Sequence, residues 1–291
     1  MTCHIAIASD DCAVLFSDSQ ATAGATEIHG IQKQFGGPDF LLGISGDTTV
    51  AQIILQDLYN ATWNPEPGIW IPVDPKKADP VNGTNVSEWL RNYLSTWLTP
   101  EGRSSIEMVL ITPKGDNSPA IRIQKPRLFN TFNRSEKFAT IGSGADYVER
   151  RYLDDYSTAG ELFYGAWNLM EAANASLHVD DKFLIGLINK GKAYLIGDKS
   201  YAPELVRDWL SKVWNQEVCK FYSEAQAAVT DTQSEIKYAI QSFNKIRKGA
   251  IDNWPQLQAH NDSIKDNLTK LTEILNEYCQ WFDEQRQPIP K

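Results

Sequence analysis

The sequence predicts an α+β protein: a four-layer αββα sandwich of two antiparallel sheets flanked by helices, followed by a C-terminal helical extension. Three observations point there. Short apolar segments come in pairs joined by turn residues, the signature of antiparallel hairpins. These pairs alternate with helical spacing in the order strands, two helices, strands, two helices, strands, and helices on both outer faces of paired sheets would bury that pattern. From about residue 203 the chain reads as helix to its end.

Taken in order, residues 3–8 alternate small and apolar side chains and 12–17 form a second strand, with Asp10-Asp11 as the tight turn between them. Residues 28–35 and 40–45 read as a second strand pair joined by Gly36-Gly37-Pro38-Asp39. Val50, Ile53, Ile54 and Leu58 give helical spacing over 47–60. Residues 61–85 are rich in Pro, Gly, Asp and Asn and read as a long inserted loop. Ser87 is the expected N-cap of a helix over 88–98. Strands follow at 106–112, 120–124 and 138–141, the last ending in Gly142-Ser143-Gly144. Helices are expected over 145–155 and 158–176, and a terminal hairpin over 183–188 and 193–196.

The boundary near 198–203 divides a domain over 1–200 from a helical extension over 201–291. In that extension Val218, Phe221, Ala225, Ala228, Thr232, Ile236, Ala239, Phe243 and Ile246 keep 3/4 spacing. Ile264, Leu268, Leu271, Leu275, Tyr278 and Phe282 do the same after Trp254-Pro255, which predicts a helical hairpin with coiled-coil-like seams.

Composition narrows the function classes. No apolar run approaches the roughly 20 residues that cross a bilayer, and the N-terminus has neither the basic start nor the apolar core of a signal peptide, so a cytoplasmic protein without a membrane partner is expected. A net charge of −9 argues against a nucleic-acid partner. Cys3, Cys12, Cys219 and Cys279 form no C-x-x-C pair, so no zinc or other metal site is expected, and no cofactor is assigned. His4, His29, His178 and His260 are scattered and receive no role.

Chemistry concentrates in the first 50 residues. Thr2 follows Met1, and removal of an initiator methionine before a small residue would expose a threonine with a free α-amino group. That amine titrates near ~7.7–8.0, so one residue can supply both nucleophile and base.

Ser17-Asp18-Ser19-Gln20-Ala21-Thr22-Ala23-Gly24 resembles the Asp-Ser-Arg-Ala-Thr-Ala-Gly segment of proteasome β-subunits. Leu41-Leu42-Gly43-Ile44-Ser45-Gly46-Asp47 resembles their Leu-x-Gly-x-Ala-Gly segment, Lys33 stands where they carry a lysine, and Gly142-Ser143-Gly144 is similar to their later Gly-Ser-Gly. The resemblance covers 2 to about 197 and is close to bacterial relatives of the β-subunit.

It implies a threonine-type N-terminal-nucleophile hydrolase that cleaves amide bonds, with peptide or unfolded-protein substrates, within self-compartmentalising homo-oligomeric rings that work with or without an unfoldase partner. It also implies roles: Thr2 attacks, Lys33 stabilises the developing alkoxide as a cation, Asp18 pairs with Lys33, Gly46 offers a backbone N–H to the oxyanion, and Ser143 orients the amine. The chain departs from the pattern at Gln20, at Asp47, whose charge would disfavour acidic substrates, and at the family's Asp-x-x-Ser pair, for which Asn174 or Ser176 would have to stand in. Other readings stay beside this one. Ser143 is equally suited to capping the next helix, Cys3 is a rival nucleophile if processing removed Thr2 as well, and the chain is either a catalytically silent homologue or a small-molecule amidase.

Overall fold

A computed structural model describes residues 3–23, 26–28, 33–63, 80–113, 119–124, 133–135, 137–149, 152, 156–174, 179, 183–196 and 204–285. The fold mixes helices with two five-stranded antiparallel sheets.

Strands β1 (Cys3–Ala8) and β2 (Cys12–Asp18) make the expected hairpin, with His4 opposite Ser17 and Ala8 opposite Ala13. A short hairpin of β3 (Ala21–Ala23) and β4 (Thr26–Ile28) stands as a separate two-stranded sheet, and β5 (Gln34–Gly36) pairs with β6 (Leu41–Gly46). Of the strand expected over 28–35, residues 29–32 lie outside the described residues, and the rest falls at Ile28, Lys33 and the start of β5. Lys33 immediately precedes β5. Its carbonyl accepts from the Ile44 amide at 2.8 Å, while its side chain leaves the sheet for the end of β2.

Helix α1 (Thr48–Trp63) is capped by Asp47, whose Oδ1 accepts from the amides of Thr49 at 2.8 Å and Val50 at 3.1 Å. It runs three residues into the expected loop because Ala61 and Thr62 are still buried. Residues 64–79 of that loop lie outside the described residues.

Helix α2 (Val86–Trp97) begins before Ser87, so Ser87 is inside the helix and is not its cap. The N-cap is Asn85, but its Oδ1 accepts from the Asn82 amide at 2.8 Å and so closes the preceding turn. Burial of Val86 draws the first turn forward. A short helix α3 (Pro100–Ser104), capped by Thr99, was not expected.

The second sheet continues through β7 (Ile106–Pro113), β8 (Pro119–Gln124) and the unexpected β9 (Asn133–Ser135), in the order β5-β6-β7-β8-β9. The first sheet is completed by β10 (Phe138–Gly142), β11 (Phe183–Asn189) and β12 (Lys192–Ile196), in the order β10-β1-β2-β11-β12. Between β10 and β11 come α4 (Ala145–Glu149) and α5 (Ala159–Asn174); of the rest of the helix expected over 145–155 only Tyr152 is among the described residues, and it is not helical.

Strands β1 and β2, two of the three interior strands of the first sheet, are buried along their whole length, and side-chain alternation sorts them into two cores. Cys3, Ile5, Ile7, Val14 and Phe16 pack with Leu162, Phe163 and Trp167 of α5. Ala6, Ala8, Ala13 and Leu15 pack with Leu42, Ile44 and Val109 of the second sheet, and the same cluster takes in Ile54 and Leu58 of α1 and Leu90 of α2. Small residues face the other sheet and let it approach: a Cβ on Gly186 would lie 2.8 Å from Leu41.

The C-terminal segment is a helical hairpin of α6 (Glu204–Arg247) and α7 (Trp254–Gln285), joined by a 3-10 turn (Ile251–Asn253). Its proximal half shares the first core through Val218, Phe221, Leu271 and Tyr278. Tyr278 Oη donates to the Leu195 carbonyl, and the Gly160 amide donates to Thr272 Oγ1 at 2.9 Å. The expected seam holds there and as far as the buried Ala239, but not at Phe243, which is 52% exposed while its neighbour Ser242 is buried. No helix among the described residues is long and apolar enough to cross a membrane.

Candidate active site

At one end of the two sheets the termini of β1, β2, β6 and β10 come together with the start of β5. Asp18, the last residue of β2, is fully buried. Its Oδ1 accepts from the Cys3 amide at 2.8 Å, and both carboxylate oxygens lie 3.1 Å from Lys33 Nζ. The Gln20 amide donates to Oδ2 at 3.3 Å, and Lys33 Nζ also donates to the Gln20 carbonyl. Lys33 is 4% exposed, so this is an ion pair removed from water and supported by further hydrogen bonds, the condition under which a buried pair persists.

Thr2 lies outside the described residues, but Cys3, to which it is bonded, sits directly on the Asp18 carboxylate. Burial, and then the Asp18 charge, push the Cys3 thiol up to about 12. At neutral pH it is a protonated, buried thiol and a poor nucleophile.

Gly46 ends β6 at the exposed rim, with φ +106°, a region closed to most L side chains. The space is closed too: a Cβ there would lie 2.0 Å from the Ser105 carbonyl oxygen. The next amide, Asp47 N–H, donates to that same oxygen at 3.0 Å, and α1 begins one residue later. Asp47 is thus both an exposed anion at the rim and the cap of α1.

Gly142, opposite Cys3 in the β1–β10 register, donates its amide to Glu107 Oε2 at 2.9 Å. Ser143 follows in the turn and is exposed, and Gly144 packs so closely on Cys3 that a Cβ there would lie 2.8 Å from the Cys3 Cβ. Asp18, Lys33, Gly46 and Ser143 therefore come from segments that surround or adjoin Cys3. Asn174 is the half-buried last residue of α5, and Ser176 lies outside the described residues.

The sequence reading missed two residues here. Glu107 joins two edges of the site, accepting from Gly142 N and from Ser45 Oγ at 3.4 Å; a carboxylate inside the apolar run 106–112 was the available signal. His4, given no role, is completely buried. Ser17 Oγ lies 2.5 Å from its Nδ1, and its Nε2 lies 2.9 Å from the Ile44 carbonyl. Burial, and then the nearby Lys33 charge, hold its imidazolium down to about 3, so the ring is neutral. Since a carbonyl can only accept, Nε2 carries the hydrogen and the Ser17 hydroxyl donates to Nδ1.

Among the described residues no group of three or more His, Cys, Asp or Glu is placed to hold a metal ion. No protein-family model matches the chain, and comparison with curated proteins finds no relative.

Proposed function

We propose that this protein is a threonine-type N-terminal-nucleophile hydrolase that cleaves amide bonds in peptides or unfolded proteins. Removal of Met1 leaves Thr2 as both nucleophile and base. The observation that carries this reading is the buried Lys33–Asp18 pair, with Nζ 3.1 Å from both carboxylate oxygens and the Cys3 amide 2.8 Å from one of them. A cation held by the same carboxylate that binds the residue after Thr2 can favour an alkoxide formed there.

In this mechanism Thr2 Oγ attacks the substrate carbonyl carbon and its proton passes to the α-amine. The resulting oxyanion takes a hydrogen bond from the Gly46 amide, in a conformation that only glycine adopts readily. Collapse breaks the C–N bond, the leaving amine takes the proton from the ammonium, and an acyl ester remains on Thr2. Water, deprotonated by the same amine, hydrolyses that ester. Lys33 stays charged throughout, held by Asp18, and Ser143 orients the amine.

The fold in this reading is the helix–sheet–sheet–helix sandwich of the proteasome β-subunit type, and the protein works in the cytoplasm as a ring-forming homo-oligomer. The two cores support that layering: one joins α5 to the first sheet, and the other joins both sheets to α1 and α2. A catalytically silent homologue is the second reading, favoured by Asn174 where the family carries its Asp-x-x-Ser pair.

Intact mass before and after a β-lactone separates the two. The hydrolase loses Met1 and gains one adduct, which Thr2→Ala abolishes while leaving the circular dichroism unchanged. A retained Met1, or unchanged turnover in Thr2→Ala, overturns the proposal. Fluorogenic peptides against simple amides distinguish a peptidase from a small-molecule amidase.

A further inference from the structure

The contacts of His4 make it more than core filling. Its side chain leaves β1 on the face opposite Cys3 and reaches across to the second sheet, where the absence of a side chain on Gly43 leaves it room: a Cβ there would lie 2.7 Å from Nδ1. On one side Ser17 Oγ, at 2.5 Å, belongs to the residue before Asp18. On the other, Nε2–H donates to the Ile44 carbonyl at 2.9 Å, and the Ile44 amide donates to the Lys33 carbonyl at 2.8 Å. Ile44 is also two residues before Gly46 on the same strand. At its own backbone, the His4 carbonyl accepts from Thr140 Oγ1 at 3.0 Å. One buried ring therefore ties together the strands that bear Cys3, Asp18 and Gly46 and, through Ile44, the backbone of Lys33.

We propose that His4 is a positioning residue of the candidate active site, setting the place of Lys33 and Gly46 through the Ile44 backbone. The proposal rests on the hydrolase reading for its kinetic consequence but not for its structural one. An apolar side chain of similar volume would fill the space, yet it would leave the Ser17 hydroxyl and one contact of the Ile44 carbonyl unmet, in a region where an unsatisfied buried polar group is costly. Misplacement of a catalytic group by a fraction of an ångström acts on the transition state more than on substrate binding, so the loss falls on kcat.

The test compares His4→Leu, His4→Gln and Ser17→Ala with the full-length wild type, in turnover of a fluorogenic peptide and in native hydrogen exchange of the 41–46 segment. Leucine lowers kcat about tenfold or more with KM little changed, and speeds exchange at the Ile44 amide. Glutamine, whose amide N–H can reach the Ile44 carbonyl, restores both to within about threefold of wild type. Ser17→Ala, a mild truncation that keeps the chain folded, gives a smaller loss of the same kind.

Equal losses in the Leu and Gln variants, a change confined to KM, or unaltered Ile44 exchange in both His4→Leu and Ser17→Ala overturns the proposal. A wild type that neither turns over nor labels with the β-lactone overturns the hydrolase reading instead, and the exchange data then decide the role of His4 without it.

Discussion

Lys33 Nζ stands 3.1 Å from each oxygen of the Asp18 carboxylate, and neither side chain reaches solvent to any useful extent, at 5% and 0% exposure. Removing one partner of such a pair strands the other charge in the interior. Asp18→Ala or Lys33→Ala is expected to cost about 3–5 kcal/mol in urea unfolding, whereas Asp18→Leu combined with Lys33→Met costs less than either single change. Additive losses in the double variant would show that the two side chains do not act as a pair.

Gly46 and Gly249 both have positive φ, +106° and +96°, but differ in surroundings. A Cβ at 46 meets the Ser105 carbonyl at 2.0 Å, while nothing lies within 4 Å at 249. Gly249→Ala therefore bears only backbone strain, about 1–2 kcal/mol. Gly46→Ala bears strain plus a backbone clash and lowers the melting temperature by more. Equal shifts for the two would remove the steric argument.

The His4 imidazolium is held down to about 3 from an ordinary 6.5, by burial first and by Lys33 second. The unfolded chain thus takes up a proton that the folded chain refuses. The stability linked to His4 is fully present above pH 6.5 and is lost progressively as pH falls toward 3. Urea midpoints measured from pH 7.5 to 4 should decline in the wild type and decline less steeply in His4→Gln. Parallel curves would mean that His4 does not contribute to the acid sensitivity.

Along α7, Tyr278 and Asp283 make contacts of very different worth. Tyr278 is fully buried among Phe221, Trp281 and Phe282, and donates to the Leu195 carbonyl. Asp283 pairs with Lys192 at 2.8 Å, but those side chains are 33% and 58% exposed. Tyr278→Ala should cost about 3–5 kcal/mol and Lys192→Ala less than about 1 kcal/mol. The reverse ranking in thermal unfolding would contradict the docked position of the helical hairpin.

Phe221 and Phe243 occupy the same apolar repeat of α6, yet Phe221 is 7% exposed and Phe243 52%. Serine at 243 should change stability by no more than about 0.5 kcal/mol, and serine at 221 by several times that. A large loss at 243 in the monomer would restore the continuous seam that the repeat suggests.

Much of the architecture was legible because it depends on local pattern. The β1–β2 hairpin, the terminal β11–β12 hairpin and the two long C-terminal helices follow from side-chain period and turn residues, which are properties of a few consecutive positions. Asp18 was legible as a buried acid because it ends an apolar strand. The β3–β4 hairpin was not, since two three-residue strands carry too few positions to show a period. The start of α2 was misjudged because Asn85 and Ser87 are both good caps, and only the turn that engages Asn85 and the burial of Val86 decide between them.

By itself the sequence determined the main hairpins, the longer helices and their order, and the residue types on which the proposed threonine-based site rests. Tertiary structure alone decided that Asp18 binds the Cys3 amide as well as the lysine expected to pair with it, that Gly46 has no space for a side chain, and that His4 and Glu107 join the candidate site. The reason is physical. Periodicity and turn chemistry act between near neighbours, whereas burying a charge or an imidazole is tolerable only where distant segments bring the partners that replace water, and those partners exist only once the sheets have packed.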